Sequence, residues 1–189
     1  CFTEHKSGTN NKNKIIQIES EEISIGNNCF NQLNHIDEIE LIGKNINIKD
    51  NCFGECECLS SFNINKNDYL SLGKNEFKAC QNLSELQLIS NQITLGDQCF
   101  SISKLTKIEI NCEEINIYNG CFSKLSTIKS FTINESKIIN ISENSFSGCQ
   151  NLKFISFKCK ETLNIGKSSF YGLESLEAIY IDSPKVNIE

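Results

Sequence analysis

Phenylalanine recurs along the chain at an almost constant interval, and this interval sets the register of the hydrophobic pattern. Successive members are 22 to 24 residues apart, and the seven residues are Phe30, Phe53, Phe77, Phe100, Phe122, Phe146 and Phe170. A constant period of this size is typical of leucine-rich and related solenoids, in which each repeat is one unit stacked on the next. The pattern therefore predicts a repeat protein.

All repeats but one carry apolar residues 3, 6, 9 and 11 positions after their phenylalanine. In the first full repeat these are Leu33, Ile36, Ile39 and Leu41. The last part alternates apolar and polar residues, which indicates a β-strand whose intervening side chain faces away from the core. A second apolar pair, such as Ile93 and Leu95, follows a polar corner. It indicates a short second strand that must pair with its equivalents in neighbouring repeats.

A glycine follows the second apolar pair in several repeats and marks a turn. These glycines are Gly26, Gly73, Gly96 and Gly166. From there to six residues past the phenylalanine, the apolar residues have the i, i+3 spacing of one or two helical turns. We therefore predict an α/β solenoid of about seven coils of 22–24 residues, each with a main strand, a short second strand and a short helix. Stacking the coils would stack phenylalanine on phenylalanine and bury a continuous core.

The two ends of the chain differ in how well they fit this pattern. Residues 1–14 show no apolar period and end in an Asn/Lys cluster, so we predict a flexible lead-in. Residues 15–189 are predicted to form a single leucine-rich-repeat solenoid. The pattern stops inside a strand motif at 186–189, and we expect the solenoid to be a fragment of a longer repeat array.

One repeat is a residue short. Phe100 is followed by Ile102, Leu105, Ile108 and Ile110, so that the apolar positions arrive one residue early. We expect a local irregularity in the segment that follows Phe100.

Two copies of the repeat resemble the leucine-rich repeats of the BspA-like family. They read SFSGCQNL from Ser145 to Leu152 and NEFKACQNL from Asn75 to Leu83, and the resemblance covers about Ile16 to Glu189. The family's usual proline after the first strand is absent, and cysteine replaces the usual alanine before phenylalanine in four repeats. The resemblance implies a right-handed leucine-rich-repeat superhelix. It also implies a surface protein of bacterial or protist type, for which adhesion to host proteins is the commonest proposal.

Composition narrows the classes of partner. The chain has 189 residues and a formal net charge of −6, and its 18 basic residues are all lysine. The forked guanidinium group that usually reads phosphates and bases is missing, which argues against nucleic-acid binding. No apolar run approaches the roughly 20 residues that span a bilayer, so we expect no membrane span within this segment.

The 11 cysteines mostly fall on repeat-core positions. Four directly precede a phenylalanine and three lie three residues after one; these are Cys29, Cys52, Cys99, Cys121, Cys56, Cys80 and Cys149. Free cysteine behaves as a small hydrophobe, so we expect buried thiols at these seven places. Disulfides between neighbouring coils, Cys29 to Cys52 or Cys99 to Cys121, are the alternative. Cys112 and Cys159 lie in corners, and we expect them to be exposed and the most reactive.

No motif in the chain indicates catalysis, a cofactor or a small-molecule substrate. Neither His5 nor His35 has a nucleophile and an acid arranged around it by a known motif. Cys52, Cys56 and Cys58 with His35 include zinc-ligand types, yet two of these cysteines fit the core pattern and the usual paired spacing is missing. We therefore expect no enzyme and no metal site.

The outward positions of the strands remain as the functional surface, because a solenoid's function depends on the residues displayed on it. The candidate partner-binding residues are Glu40, Glu85 and Glu109 in the acidic early repeats, and Phe154 and Tyr180 in the later ones. On the second strand, outward Asn116, Asn140, Asn164 and Asn187 form a series that we expect to pair amides between coils.

Two functions fit this surface. The favoured one is a protein-binding module for adhesion at the cell surface or outside the cell, with a host or matrix protein as partner. The alternative is an intracellular scaffold or a component of a larger assembly in the cytoplasm, a compartment in which free thiols persist.

Overall fold

The computed structural model describes residues 14–65 and 67–189, which form a β-solenoid of about eight turns. Its thirteen strands are β1 (Ile15–Glu19), β2 (Glu22–Ile25), β3 (Glu38–Ile42), β4 (Asn45–Ile48), β5 (Ser61–Ile64), β6 (Asn67–Leu72), β7 (Glu85–Leu95), β8 (Lys107–Asn111), β9 (Glu114–Ile117), β10 (Ser130–Ile141), β11 (Phe154–Ile165), β12 (Ala178–Asp182) and β13 (Lys185–Ile188). The predicted main and second strands are confirmed.

The strands stack as two parallel faces joined at a corner. The main-strand face contains β1, β3, β5, β8, β12 and the first halves of β7, β10 and β11; the second-strand face contains β2, β4, β6, β9, β13 and the second halves of those three long strands. Equivalent residues of neighbouring coils pair in register, as with Ile93 and Ile115. We number the coils 1 to 8 by their main strands, in chain order.

The predicted phenylalanine stack forms the centre of the core. The rings of Phe77 and Phe100 lie parallel with centroids 5.3 Å apart, and those of Phe100 and Phe122 are 5.4 Å apart. The stack continues from Phe30 to Phe170 with centroid distances of up to 6.0 Å. Isoleucine and leucine columns from both strand faces pack around it. The stacked rings thus bury a core that no single repeat could bury.

The predicted short helix of each coil is wrong, because the described residues contain no helix and the segment around each phenylalanine is a pair of turns. Its backbone has positive φ two residues before and two residues after the phenylalanine, as at Asn51 (56°) and Glu55 (57°) around Phe53. A left-handed residue every four positions ends a right-handed helix before it completes a turn. The i, i+3 spacing of the apolar residues therefore comes from successive turns.

The short repeat after Phe100 shows the irregularity that its sequence predicts. Coils 1 to 3 and 5 to 7 have a second turn or bend after the phenylalanine loop, and coil 4 passes straight from the loop to β8. The residue assignment was wrong in one respect. Ile102 is 42% exposed with a φ of 54°, and Ser103 takes the core position with 1% exposure.

A buried column of small polar residues lines the corner between the two faces. Cys112 and Cys159 belong to it and are 7% and 4% exposed, so the expectation that they are exposed and reactive is wrong. The hydroxyl of Ser136 donates to the carbonyl of Cys112 over 2.9 Å, and the thiol of Cys159 donates to the carbonyl of Lys137 over 2.8 Å. A buried backbone carbonyl at the corner needs a hydrogen-bond donor, and the hydroxyl of Ser136 and the thiol of Cys159 provide one each.

The lead-in predicted for residues 1–14 lies outside the described residues, except for Lys14. The backbone N–H of Lys14 donates to the Asp37 carboxylate over 2.9 Å, and its carbonyl accepts from the N–H of Asp37 over 2.9 Å. In the part of the chain that the structure describes, no helix is long and apolar enough to cross a membrane.

Candidate binding surface

The main-strand face displays two rows of outward side chains. In one row Glu85 pairs with Lys107, and in the other Gln87 pairs with Glu109. Glu40 and Tyr180 belong to the second row, which begins at Gln17 on β1, and Phe154 lies in the first row. All five candidate residues therefore lie on this one face, spread over coils 2 to 8.

The three candidate carboxylates have different surroundings. Glu40 accepts a hydrogen bond from the Gln17 amide over 2.8 Å. Glu109 lies 2.8 Å from the ammonium of Lys107 and accepts from the Gln87 amide over 3.1 Å. This neighbouring ammonium holds the pKa of Glu109 below its usual range. The carboxylate of Glu85 makes no ion pair or hydrogen bond among residues 14–65 and 67–189, but it lies opposite Lys107 on the neighbouring strand and interacts with that ammonium electrostatically.

The main-strand face is interrupted between coils 3 and 4. The described strands β5 and β7 have no hydrogen-bonded ladder, although β5 pairs with β3 and β7 pairs with β8. A cleft of about 460 Å³ lies at the interruption. It is lined by Ser60, Ser61, Phe62, Asn63, Ile64, Ser84, Glu85, Leu86, Gln87, Lys107 and Glu109. The structure thus places Glu85 and Glu109 at a cleft and Glu40 one strand beyond it.

The two aromatic candidates lie on neighbouring strands near the other end of the face. Phe154 on β11 is 41% exposed and Tyr180 on β12 is 61% exposed. They are offset by two residues in register, because Phe154 pairs with Ala178 and Tyr180 pairs with Ser156. They form an apolar site separated by at least one coil from the acidic residues, so the five candidates make two sites.

The second-strand face has a different character. The side-chain amide of Asn140 donates to Asn116 over 2.9 Å, that of Asn164 donates to Asn140 over 2.6 Å, and that of Asn187 donates to Asn164 over 2.6 Å. The predicted pairing of amides between coils is confirmed. These side chains hold neighbouring coils in register, and their pairing leaves fewer donors and acceptors for a ligand.

The ten cysteines of the described residues are free thiols, and most line the core. The thiols of Cys56 and Cys80 donate to the carbonyls of Phe30 and Phe53, each over 3.2 Å. Burial raises the pKa of Cys80 to about 12 and that of Cys149 to about 11. These thiols stay protonated at neutral pH, and the thiolate is the reactive form.

The expectation of burial is wrong at one of the seven repeat-position cysteines. Cys29 in coil 1 is exposed, because no coil within the described residues covers it on its N-terminal side. Cys58, beside the main-strand face, is half-buried. These two thiols are more accessible than the corner thiols of Cys112 and Cys159.

The possible zinc ligands are not brought together. Cys52 and Cys56 are buried in core columns, and His35 is exposed. Across residues 14–65 and 67–189, no three His, Cys, Asp or Glu side chains form a group that could hold a metal ion.

A buried carboxyl group was missed by the sequence reasoning. Glu76 has 0% exposure and occupies the position before Phe77, where the neighbouring coils carry Cys52 and Cys99. Its oxygens accept from the backbone N–H groups of Cys52 and Phe53 over 3.2 and 3.3 Å. Burial raises the pKa of this carboxyl to about 8. The break in the cysteine series at position 76 is the sequence signal that could have revealed it.

The cleft was also missed. Leu86 and Leu88 fit the repeat as well as any other strand residues, so the pattern of apolar positions contains no sign that β7 is unpaired from β5. Lys107 could have been found, because it lies two residues before Glu109 and therefore on the same side of β8.

A stack of parallel in-register coils with a varied outward face defines a solenoid repeat protein. A family model described as the BspA type leucine rich repeat region matches the chain in six copies, over residues 6–128 and 115–189. The chain therefore belongs to the BspA-type leucine-rich repeat family, and the resemblance stated from the sequence is confirmed. No curated protein and no solved structure gave a significant match to the chain.

Proposed function

We propose that the chain is a non-enzymatic protein-binding module that recognises its partner through the outward side chains of the main-strand face. Leucine-rich repeats generally mediate protein–protein interaction, and their solenoids are typically non-enzymatic. One observation carries the choice of face. The main-strand face carries the exposed aromatic side chains Phe154 and Tyr180 on neighbouring strands. On the second-strand face, one outward row varies in chemistry from Glu22 to Lys185, and the other repeats small polar residues whose asparagines pair with one another.

The role that fits this module best is adhesion at a cell surface, with a host or matrix protein as partner. BspA-type repeats are commonly found on surface proteins. The exposed Phe154 and Tyr180 resemble the anchors of protein interfaces, where a few aromatic residues supply most of the binding energy. The acidic coils would add long-range attraction to a basic partner.

A second candidate, an intracellular scaffold, is favoured by the thiols. Ten cysteines are free and one of them, Cys29, is exposed, which suits a reducing compartment. Counting the thiols of the natural protein under denaturing, non-reducing conditions tests the scaffold. Disulfide bonds to Cys29 would contradict it, whereas a full set of free thiols fits both candidates, because most of these thiols are buried and unreactive.

The function is tested with a partner recovered by affinity selection on the whole chain. We expect the double variant Phe154→Ala, Tyr180→Ala to weaken binding about ten-fold or more, since truncation of a hot-spot residue costs about 2 kcal/mol. The matched control is the double variant Ser71→Ala, Thr94→Ala, which removes two outward side chains of the second-strand face. Binding that survives the first pair and is lost with the second would place the interface on the wrong face. Circular dichroism confirms that both variants fold.

A further inference from the structure

Cysteines at the position before phenylalanine form two stacked pairs in neighbouring coils. Cys29 and Cys52 lie in coils 1 and 2, and Cys99 and Cys121 lie in coils 4 and 5. Glu76 holds the same position in coil 3 and separates the two pairs. All four cysteines are free thiols. The fold therefore brings equivalent thiols together at two places.

The backbones that carry Cys29 and Cys52 run side by side. The N–H of Phe30 donates to the carbonyl of Cys52 over 3.0 Å. The rings that follow the two cysteines, Phe30 and Phe53, stack with centroids 5.4 Å apart and an interplanar angle of 1°. Hydrogen-bonded neighbouring backbones lie about 4.8 Å apart. This spacing falls within the range of about 4.4–6.8 Å between Cα atoms that a disulfide bridges.

The thiol of Cys52 lies against coil 1. It hydrogen-bonds to the backbone of Phe30 and of Cys29, and it interacts electrostatically with the thiol of Cys29. In the other pair, the thiols of Cys99 and Cys121 hydrogen-bond to each other. Stacking of equivalent positions therefore places the two sulfur atoms of a pair next to one another.

Solvent access distinguishes the two pairs. Cys99 and Cys121 are both 0% exposed, so a dissolved oxidant does not reach either sulfur atom in the folded chain. Cys29 is exposed, whereas Cys52 is buried. Burial raises the pKa of the Cys52 thiol to about 12, and the thiolate is the attacking form. Cys29 is therefore the thiol that meets an oxidant, and Cys52 is the thiol that completes the bond.

We propose that Cys29 and Cys52 form an oxidation site, at which a small-molecule disulfide converts the two thiols into a covalent bond between coils 1 and 2. The Cys29 thiolate attacks one sulfur of the small disulfide, forms a mixed disulfide and releases a small thiolate. Cys52 then loses its proton and attacks the sulfur of Cys29, which expels the second small thiolate. The two expelled thiolates take up the protons that the cysteines lose. The small disulfide is thus reduced to two thiols, and the cysteine pair is oxidised.

The bond ties coil 1 to the rest of the stack. A disulfide stabilises a fold mainly by constraining the unfolded chain. In an oxidising medium, the adhesion module would carry this covalent link, and in a reducing compartment the two thiols stay free. The oxidation site does not depend on which face binds a partner, so its failure leaves the proposed function standing.

The test incubates the folded chain with glutathione disulfide, alkylates the remaining thiols and maps the cysteine-containing peptides by mass spectrometry. We expect a Cys29–Cys52 disulfide in the parent chain, with Cys99 and Cys121 recovered as alkylated thiols. In Cys52→Ser, we expect Cys29 to keep the glutathione group, because the second attacking thiol is missing. The matched control is Cys121→Ser, which removes a buried thiol from the other pair and should form the Cys29–Cys52 bond as the parent does.

A second measurement follows the stability of the oxidised chain. Urea unfolding by circular dichroism is expected to show a higher midpoint for the oxidised parent than for the reduced parent. Cys29→Ser changes an exposed side chain and leaves the core intact, so it should have the same midpoint with and without oxidant.

Three results would overturn the oxidation site. One is a parent chain in which Cys29 keeps the glutathione group, and another is pairing of Cys29 with Cys58 or with Cys1, which lies outside the described residues. The third is a Cys99–Cys121 disulfide that forms in the folded chain as fast as the Cys29–Cys52 bond. If Cys52→Ser does not fold, Cys29→Ser carries the test, because it must leave Cys52 as a free thiol.

Discussion

Glu76 is the residue whose burial has the clearest thermodynamic consequence. It lies among thiols and stacked rings with 0% exposure, and burial raises the pKa of its carboxyl to about 8. The unfolded chain releases this proton near the usual value of 4.5, and the folded chain keeps it to higher pH. The unfolded state is therefore favoured as pH rises between these values.

We predict that Glu76→Gln makes the free energy of unfolding less dependent on pH. The parent chain should lose stability relative to the variant, on the order of 4 kcal/mol, as pH rises from about 4.5 to about 8. The glutamine oxygen can still accept from the backbone, and an amide does not ionise. Urea unfolding followed by circular dichroism at several pH values measures the difference. Glu57→Gln at an exposed position is the control, and a pH profile shared by the parent and both variants would contradict the prediction.

At the scale of single residues, part of the loop geometry was readable from the sequence. Asparagine tolerates positive φ better than most residues, and it occupies the position two residues before phenylalanine in coils 1, 2, 3 and 6. That recurrence argues for a left-handed residue and against the predicted helix. Ile102 has a φ of 54°, although a β-branched residue disfavours positive φ. The stacking of the coils imposes this conformation, so the identity of the residue does not predict it.

The second-strand turns depend on how closely neighbouring coils approach. A Cβ atom on Gly96 would lie 2.5 Å from the carbonyl carbon of Gly73 and 2.6 Å from its oxygen, both in the backbone of the preceding coil. The same atom on Gly26 would meet only the sulfur of Cys29, at 3.4 Å. The glycines were correctly associated with turns. At Gly96, glycine is required because a Cβ atom would clash with the backbone of the preceding coil, and the sequence of one repeat does not show this contact.

We predict that Gly96→Ala destabilises the solenoid by about 2 kcal/mol, because backbone atoms must shift to admit the methyl group. Gly26→Ala serves as the matched control and should lie within about 0.5 kcal/mol of the parent. Urea unfolding midpoints by circular dichroism compare the two variants. Equal destabilisation at both positions would contradict the role assigned to the close approach of coils 3 and 4.

For the molecule as a whole, the period of the sequence predicted that the coils stack, but it did not predict that the main-strand face is interrupted between β5 and β7. The spacing of the phenylalanines determines which residues pair between coils, so both strand faces and the ring stack follow from it. The interruption between β5 and β7 depends on the relative placement of two coils with ordinary sequences, and local patterns do not encode it. The candidate residues were placed on one face correctly, whereas their separation into an acidic cleft and an aromatic pair required the structure.

The most direct test of the main-strand face as the binding surface uses the long strand β7, which crosses the corner. A photo-reactive residue at Gln87 points outward from the main-strand face, and one at Thr94 points outward from the second-strand face. With the selected partner bound, we predict a covalent product from position 87 and none from position 94. A product from position 94 alone, or equal products from both, would contradict the assignment of the binding face.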